Sequence, residues 1–414
     1  MKFKKRLLLF TFYILLFTKI AFPQNFTLVE STPVETILEQ STLPRAADVW
    51  LEMISGADKT LDIEMFYIAN EKGEVLEKIL KSIKDAAARG VQVRVIIDEG
   101  FYNSSEKSAD ELNNISNITI RKIPFKKIAG GVMHAKYFVA DGKDLFVGSQ
   151  NMDWRALKHI HEMGVRVKNV KMAKTFLNIF EIDWNLCTDY SDANKKMLTK
   201  TCLRQAKNII SSKKPLIITD SKLGKIKLYP AFSPAEITPS KCSSEIGELV
   251  KIIKKSKERL CIQMYSYSLK GEKSGEEFDA IDKALRDAAA RGVKIKIIFS
   301  NWAIKKGATE SIQALSTVPN IEIKFSNIPE YSGGFISYAR VEHCKYFISD
   351  NNISWVSTAN WERGYFYDTR NATMIIQNKK VNSLLEEVFL RDWNGNLVES
   401  VDVGKEYKPV KRSK

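Results

Sequence analysis

The sequence predicts an α/β protein built from two similar halves, each a sheet packed between helices. Three observations lead there. The segment DAAARGVQVRVIID, Asp85 to Asp98, returns as DAAARGVKIKIIFS, Asp287 to Ser300, at an offset of 202 residues. Each copy sits in the same order of apolar patterns, strand then helix then strand. Each half also carries a histidine, a lysine, an aspartate and an asparagine at identical spacings, the two histidines 209 residues apart. A single matching segment can arise by chance, but a match joined to the same element order and the same downstream motif is the mark of duplication.

Lys2, Lys4, Lys5 and Arg6 precede a nearly unbroken apolar run, Leu7 to Phe17, which Lys19 ends. The run is short of the roughly 20 apolar residues that a membrane-spanning helix needs, and it suits the core of a signal peptide. Residues 1–24 are read as an export signal. Because Ala21 to Gln24 give no clean small-x-small cleavage pattern, an uncleaved membrane anchor is the alternative. The body of the chain is expected outside the cytoplasm, periplasmic or secreted.

The first half is assigned to residues 25–187. Leu61 to Tyr67 reads as a strand, and Val75, Leu76, Ile79, Leu80 and Ile83 recur at helical spacing up to Arg89-Gly90. Glycine there suits a left-handed helix end. Residues 188–244 lose periodicity, gain Lys, Ser, Thr and Pro, and are read as a connecting segment, with a strand at Lys225 to Tyr229. The segment is too long for an ordinary loop, so part of it should pack on one half. The second half, 245–398, repeats the pattern with a strand at Leu260 to Tyr267, apolar positions at Phe278, Ile281 and Leu285, and a stop at Arg291-Gly292. Residues 399–414 form a basic tail.

The formal charge is +15, and nearer +10 without the five basic residues of the leader. Such a surplus suits a polyanionic partner, nucleic acid or anionic lipid, although many exported proteins are simply basic. Five cysteines, Cys187, Cys202, Cys242, Cys261 and Cys344, leave at least one unpaired. Cys187 and Cys202 flank a polar stretch that a disulfide could close. No Cys/His spacing indicates a zinc site, and no cofactor is implied.

The chemistry sits in MHAKYFVADGKDLFVGSQNMDW and EHCKYFISDNNISWVSTANW. The first supplies His134, Lys136, Asp141, Gly148, Ser149 and Asn151; the second supplies His343, Lys345, Asp350, Ser357, Thr358 and Asn360. In a strand, H-x-K puts both side chains on one face. A turn at Gly142-Lys143 or Asn351-Asn352 then returns the chain, bringing the Ser/Thr and Asn back beside the His-Lys pair. Two of only four histidines fall at equivalent positions of the repeat. His159 and His161 are expected at exposed positions, and Cys344 as a buried thiol on the opposite side of its strand.

The doubled pattern H-x-K-(x)4-D-(x)6-G-S-x-N resembles the phospholipase D superfamily, with Ser357 and Thr358 standing where that family usually has glycine and serine. The resemblance implies two pseudo-symmetric α/β/α sandwich domains merging their motifs into one site. It implies attack on phosphorus by His134, a phosphohistidine intermediate, and proton transfer by His343. Lys136, Lys345, Asn151 and Asn360 would hold the non-bridging oxygens. Asp141 and Asp350 would tie strand to turn, with Ser149 and Thr358 in support, and Glu162 in HIHEMGVRV would orient an imidazole.

GSQNMDWRAL, TANW followed by GYF, FLRDW at Phe389 to Trp393, and LVEST resemble the endolysosomal phospholipase-D-like branch of 5′-to-3′ single-strand exonucleases, over Leu28 to Trp393. Single-stranded DNA or RNA is therefore the favoured substrate, cleaved to nucleoside 3′-phosphates. Phospholipid, turned over by a phospholipase D or transphosphatidylase, is the alternative, and a homodimer is suggested. Tyr67, Trp154, Tyr267 and Trp361 are the first candidates for base stacking; Phe66, Tyr265 and Tyr365 are others.

Overall fold

The computed structural model describes residues 24–187, 208–270 and 277–413. The leader, Cys202 and most of the polar stretch after Cys187 lie outside the described residues. The other four cysteines are free thiols.

Each half is built on a mixed sheet. The first runs in the order Phe26–Ser31, Ile160–Lys168, Asp144–Gly148, Lys136–Ala140, Thr60–Met65, Gln92–Asp98, Ile118–Ile123. The second repeats that order around Gly224–Ser233, Asn371–Gln377, Ile353–Ser357, Lys345–Ser349, Arg259–Met264, Lys294–Ser300 and Ile321–Ser326, with Leu216–Asp220 and Val398–Ser400 added at its two edges. In both, the strands on either side of the duplicated helix lie parallel, and the motif strand lies antiparallel on the other side.

The duplicated helices form because their apolar residues recur on one face. Leu76–Ala88 buries Leu76, Ile79, Leu80 and Ile83, and Ala280–Ala290 buries Ile281, Ala284 and Leu285. Both stop at a glycine in the left-handed region, Gly90 at φ 96° and Gly292 at φ 91°, where a side chain would be strained.

Part of the segment read as a connection belongs to the second sheet. Gly224–Ser233 pairs antiparallel with Asn371–Gln377, as Phe26–Ser31 pairs with Ile160–Lys168 in the first sheet. The second half thus reaches back well before residue 245. One apolar cluster extends through both halves, from Phe26 to Trp393; Phe176 of the first meets Phe232 of the second with ring centroids 5.1 Å apart. Contact of that kind is a shared core rather than a surface meeting of two domains. Among the described residues, no helix is long and apolar enough to cross a membrane.

Candidate active site

Each motif is delivered to the site by a strand crossing between halves. Val341–Glu342, just before His343, pairs in parallel with Ile160 and His161 of the first half. Met133, just before His134, bridges in parallel to Arg370 of the second. Backbone bonds complete the exchange, His343 N donating to His161 O and His134 N to Arg370 O, both at 2.9 Å. The two histidines are therefore each held by the half that does not encode them.

The next residue on each receiving strand reaches the imidazole. Glu162 Oε2 lies 2.9 Å from His343 Nδ1, and Asn371 Oδ1 lies 3.1 Å from His134 Nδ1. Glu162 and Asn371 are themselves counterparts, 209 residues apart. Each contact fixes one ring nitrogen and leaves Nε2 for chemistry. Ser149 Oγ accepts from Met163 N at 3.0 Å and Thr358 Oγ1 from Ala372 N at 3.1 Å, pinning each return strand beside its partner. Thr358 Oγ1 also donates to Asn371 Oδ1 at 2.9 Å.

Lys136 Nζ donates to His134 O at 2.6 Å and Lys345 Nζ to His343 O at 2.8 Å, so both ammonium groups are buried beside the imidazoles. Burial, together with Lys345, drives Lys136 well below the usual lysine range, and burial lowers Lys345 to about 8. Burial and the two lysines also hold both imidazoles well below their ordinary value. Glu162 is pushed upward by burial, against the pull of Lys345, Ser149 and Lys136. Two crowded buried cations make a site short of negative charge, which a bound anion relieves. Asn151 Oδ1 and Asn360 Oδ1 are buried without a partner among the described residues; an amide oxygen only accepts, so it is the Nδ2 groups of these side chains that can donate to an anion.

Asp141 accepts from the amides of Asp58, Lys59 and Thr60 at 2.7–3.2 Å, and Asp350 from Lys257, Glu258 and Arg259 at 2.8–3.2 Å. Both lie at turns with positive φ, 51° and 54°, fastening the end of the motif strand to the start of its neighbour. Ser357 stands where the first copy has Gly148 because the surroundings differ. A Cβ on Gly148 would come within 2.7 Å of Gly164 Cα and 2.3 Å of Gln150 Oε1. In the second half Ser357 Oγ instead donates to Glu245 Oε1 at 2.6 Å, and Thr373 bonds to both.

Two of the four stacking candidates belong to the core. Tyr267 is buried, stacks on Phe299 and donates to Asp282 Oδ1 at 2.8 Å; Trp361 is fully buried against Phe347. Half-buried Tyr67 donates to Asp153 at 2.9 Å, and half-buried Trp154 packs edge-on to His159. The rings beside the imidazoles are instead Phe66 and Tyr365, 4.9 and 5.0 Å from His134, and Tyr265, 4.7 Å from His343. Phe101 packs beyond Phe66 in a tilted arrangement, ring centroids 4.1 Å apart, and is exposed.

The exposed placement expected for His159 and His161 does not hold, since both are buried. The strand Ile160–Lys168, which carries His161, is covered on both faces, so alternation does not put every second residue in water, and His159, in the turn before it, is packed against the rings of Trp154 and Tyr331. His161 lies between Glu30 Oε1 at 2.7 Å and Glu342 Oε2 at 2.6 Å, with Asp392 3.6 Å away. His161, Glu342 and Cys344 bring potential metal-ligating atoms within 4.8 Å of one another, but both ring nitrogens already face carboxylates, so the group reads as an ion cluster. Asn371 was not singled out by sequence reasoning; carrying the 209-residue offset from Glu162 would have found it.

Residues 50–184 and 249–393 both match the family model described as cardiolipin synthase, PLD-like domain. With most of the chain matched in two copies, the protein belongs to the phospholipase-D-like family, whose members are phosphodiesterases. It is 28% identical over 407 residues to the 5′-3′ exonuclease PLD3 of Bos taurus, covering 92% of this chain and 81% of that one. It is 29% identical over 363 residues to the virion nicking-joining enzyme of Vaccinia virus (84% and 82% covered). A probable phospholipase D of Caenorhabditis elegans is 27% identical over 390 residues, 89% of this chain and 69% of that one. The solved phosphatidylserine synthase of Haemophilus influenzae shares the fold at TM-score 0.61 and 11% identity, with 86% and 85% of the two chains covered.

Proposed function

We propose that this phosphodiesterase removes nucleotides from the 5′ end of single-stranded DNA or RNA through a phosphohistidine on His134. The observation that carries the reading is the unequal pairing of the two imidazoles, with Asn371 on His134 and Glu162 on His343. A neutral amide fixes the His134 ring while doing little to stabilise its protonated form, so Nε2 keeps its lone pair for attack on phosphorus. A carboxylate favours a proton on His343 once the substrate's negative charge offsets the two ammonium groups.

In the first step the His134 Nε2–P bond forms and the P–O5′ bond breaks, while His343 gives its proton to the departing O5′. Lys136, Lys345, Asn151 and Asn360 hold the non-bridging oxygens as charge builds on them. In the second step His343 takes a proton from water, whose oxygen attacks phosphorus and frees His134. The products are a nucleoside 3′-phosphate and a strand with a new 5′-hydroxyl. The rings of Phe66 and Tyr365 beside His134, with Phe101 against Phe66, suit stacking of the terminal base, and the exonuclease and nicking-joining relatives point the same way.

The test offers purified protein 5′-hydroxyl and 5′-phosphate single-stranded oligonucleotides beside phosphatidylcholine vesicles. Nucleoside 3′-phosphate release is the expected result; lipid turnover with no nucleotide release would sink the reading. His134→Asn should form no acid-stopped phosphoenzyme, and full activity in that variant would remove the nucleophile assignment.

A further inference from the structure

After Tyr407 the chain reads KPVKRSK, with four cations and no acid. Its described part does not trail away from the body. Val410 packs on the small apolar cluster of Ile160, Trp302 and Val341, directly beneath the strand that delivers His343. Tyr338 N donates to Arg412 O at 2.7 Å, Arg412 Nη2 donates to Trp302 O, and the Arg412 guanidinium lies over the Trp302 ring at 5.2 Å. Trp302 in turn lies 6.3 Å from Tyr265, the ring that packs against His343. Burial raises the Tyr265 hydroxyl above its usual pKa, and Arg412 is close enough to oppose that rise.

The outer side of this arrangement is open. Tyr338 is 52% exposed, 6.3 Å from Trp302, with the Arg155 guanidinium 5.9 Å from its ring. Lys411 is exposed, its ammonium 5.0 Å over Phe335. Among the described residues, neither Lys411 nor Arg412 forms an ion pair with a carboxylate, whereas Lys405 just upstream is paired with Glu399. Anchored, unneutralised cations next to an exposed ring, on the His343 side of the site, match what a single strand needs: charge for its backbone and a flat face for a base.

We propose that the C-terminal segment 408–413 is a wall of the substrate channel, where Lys411 and Arg412 hold phosphates of the strand that departs from His343 and Tyr338 stacks one of its bases. This rests on the single-strand reading above. It assigns to the tail a role in gripping the polymer rather than in the bond-breaking step.

The experiment compares kcat/KM on (dT)12 and on bis(p-nitrophenyl) phosphate for the full chain, Lys411→Ala/Arg412→Ala and Tyr338→Ala. Each variant should lose roughly tenfold more on (dT)12 than on the small diester, chiefly through KM. The double variant should also flatten the salt dependence of (dT)12 binding by about 0.7 in log–log slope per cation removed. Lys411→Ala alone, at an exposed side chain, keeps the test open if Arg412→Ala loosens the Trp302 contact. Equal losses on both substrates, or none on (dT)12, would overturn the tail's role alone. Wild-type protein that turns over the small diester but not (dT)12 would remove the single-strand reading and this inference together.

Discussion

The two halves hold each other through matched cradles that differ in one decisive respect. In the first, Glu64, Tyr137 and Asp183 receive Arg370 from the second half. Its guanidinium is bidentate to Asp183 at 2.7 and 2.8 Å and also donates to Ser233 O, Thr238 Oγ1 and Ile237 O. In the second, Gln263, Tyr346 and Asp392 occupy the corresponding places and receive His161 from the first half, with Glu30, Glu342 and Arg391 gathered around it. Arg370 is charged at every accessible pH; His161 is not. Both immediately precede the residue that holds a motif imidazole, so His134 is held beside a permanent ion pair and His343 beside one that titrates.

The largest effect should come from the contact between Glu162 and His343. Glu162→Gln keeps the hydrogen-bonding shape but removes the charge that favours protonated His343, and kcat should fall by about 10²- to 10⁴-fold. Rapid-quench kinetics should show slower departure of the leaving group, and an unchanged rate would dissolve the distinction between the two imidazoles.

Next comes Arg370→Met, which strands Asp183 and Glu64 in the core. A buried pair broken on one side costs about 3–5 kcal/mol, read as a lowered denaturant midpoint at pH 7. A loss under 1 kcal/mol would show that the first cradle does not depend on its guanidinium.

The smallest effect, and the one most dependent on conditions, belongs to His161→Gln. Burial opposes a charge on His161, but Cys344, Glu342 and Asp392 outweigh it and hold the group well above its ordinary value. A raised folded pKa means that its stabilisation is complete below about pH 6.5 and is lost as pH rises through the folded value. Glu30 runs the other way. Burial raises it, yet His161 and Arg391 bring it down to about 2, so its contribution is present above about pH 4.5 and lost as pH falls toward 2. The wild-type protein should exceed His161→Gln by roughly 3 kcal/mol at pH 5, with the gap narrowing as the medium turns alkaline. A gap that stays constant from pH 5 to 9 would show that His161 does not titrate there.

The fold was legible because its signals are local. The repeated helix is a run of apolar spacings closed by Arg-Gly, and each motif is a strand and a turn. The single composite site was legible only through the resemblance. What physically joins it are contacts between residues 181 apart, Glu162 with His343, and 237 apart, His134 with Asn371. No periodicity records such pairings. His161 was misread because its strand is buried on both faces, and Tyr267 and Trp361 because an aromatic near a motif reads the same whether it is packed inward or presented outward.

The crossed delivery of the motifs has an evolutionary consequence. Two identical chains meeting about a twofold axis would be obliged to place the same residue on both imidazoles and the same cation in both cradles. Joining the halves in one polypeptide lifts that obligation, because a substitution in one copy is no longer repeated in the other. Glutamate facing asparagine and histidine facing arginine are divergences that a symmetric homodimer cannot encode. In the proposed mechanism they let one imidazole specialise as nucleophile while its twin carries the proton.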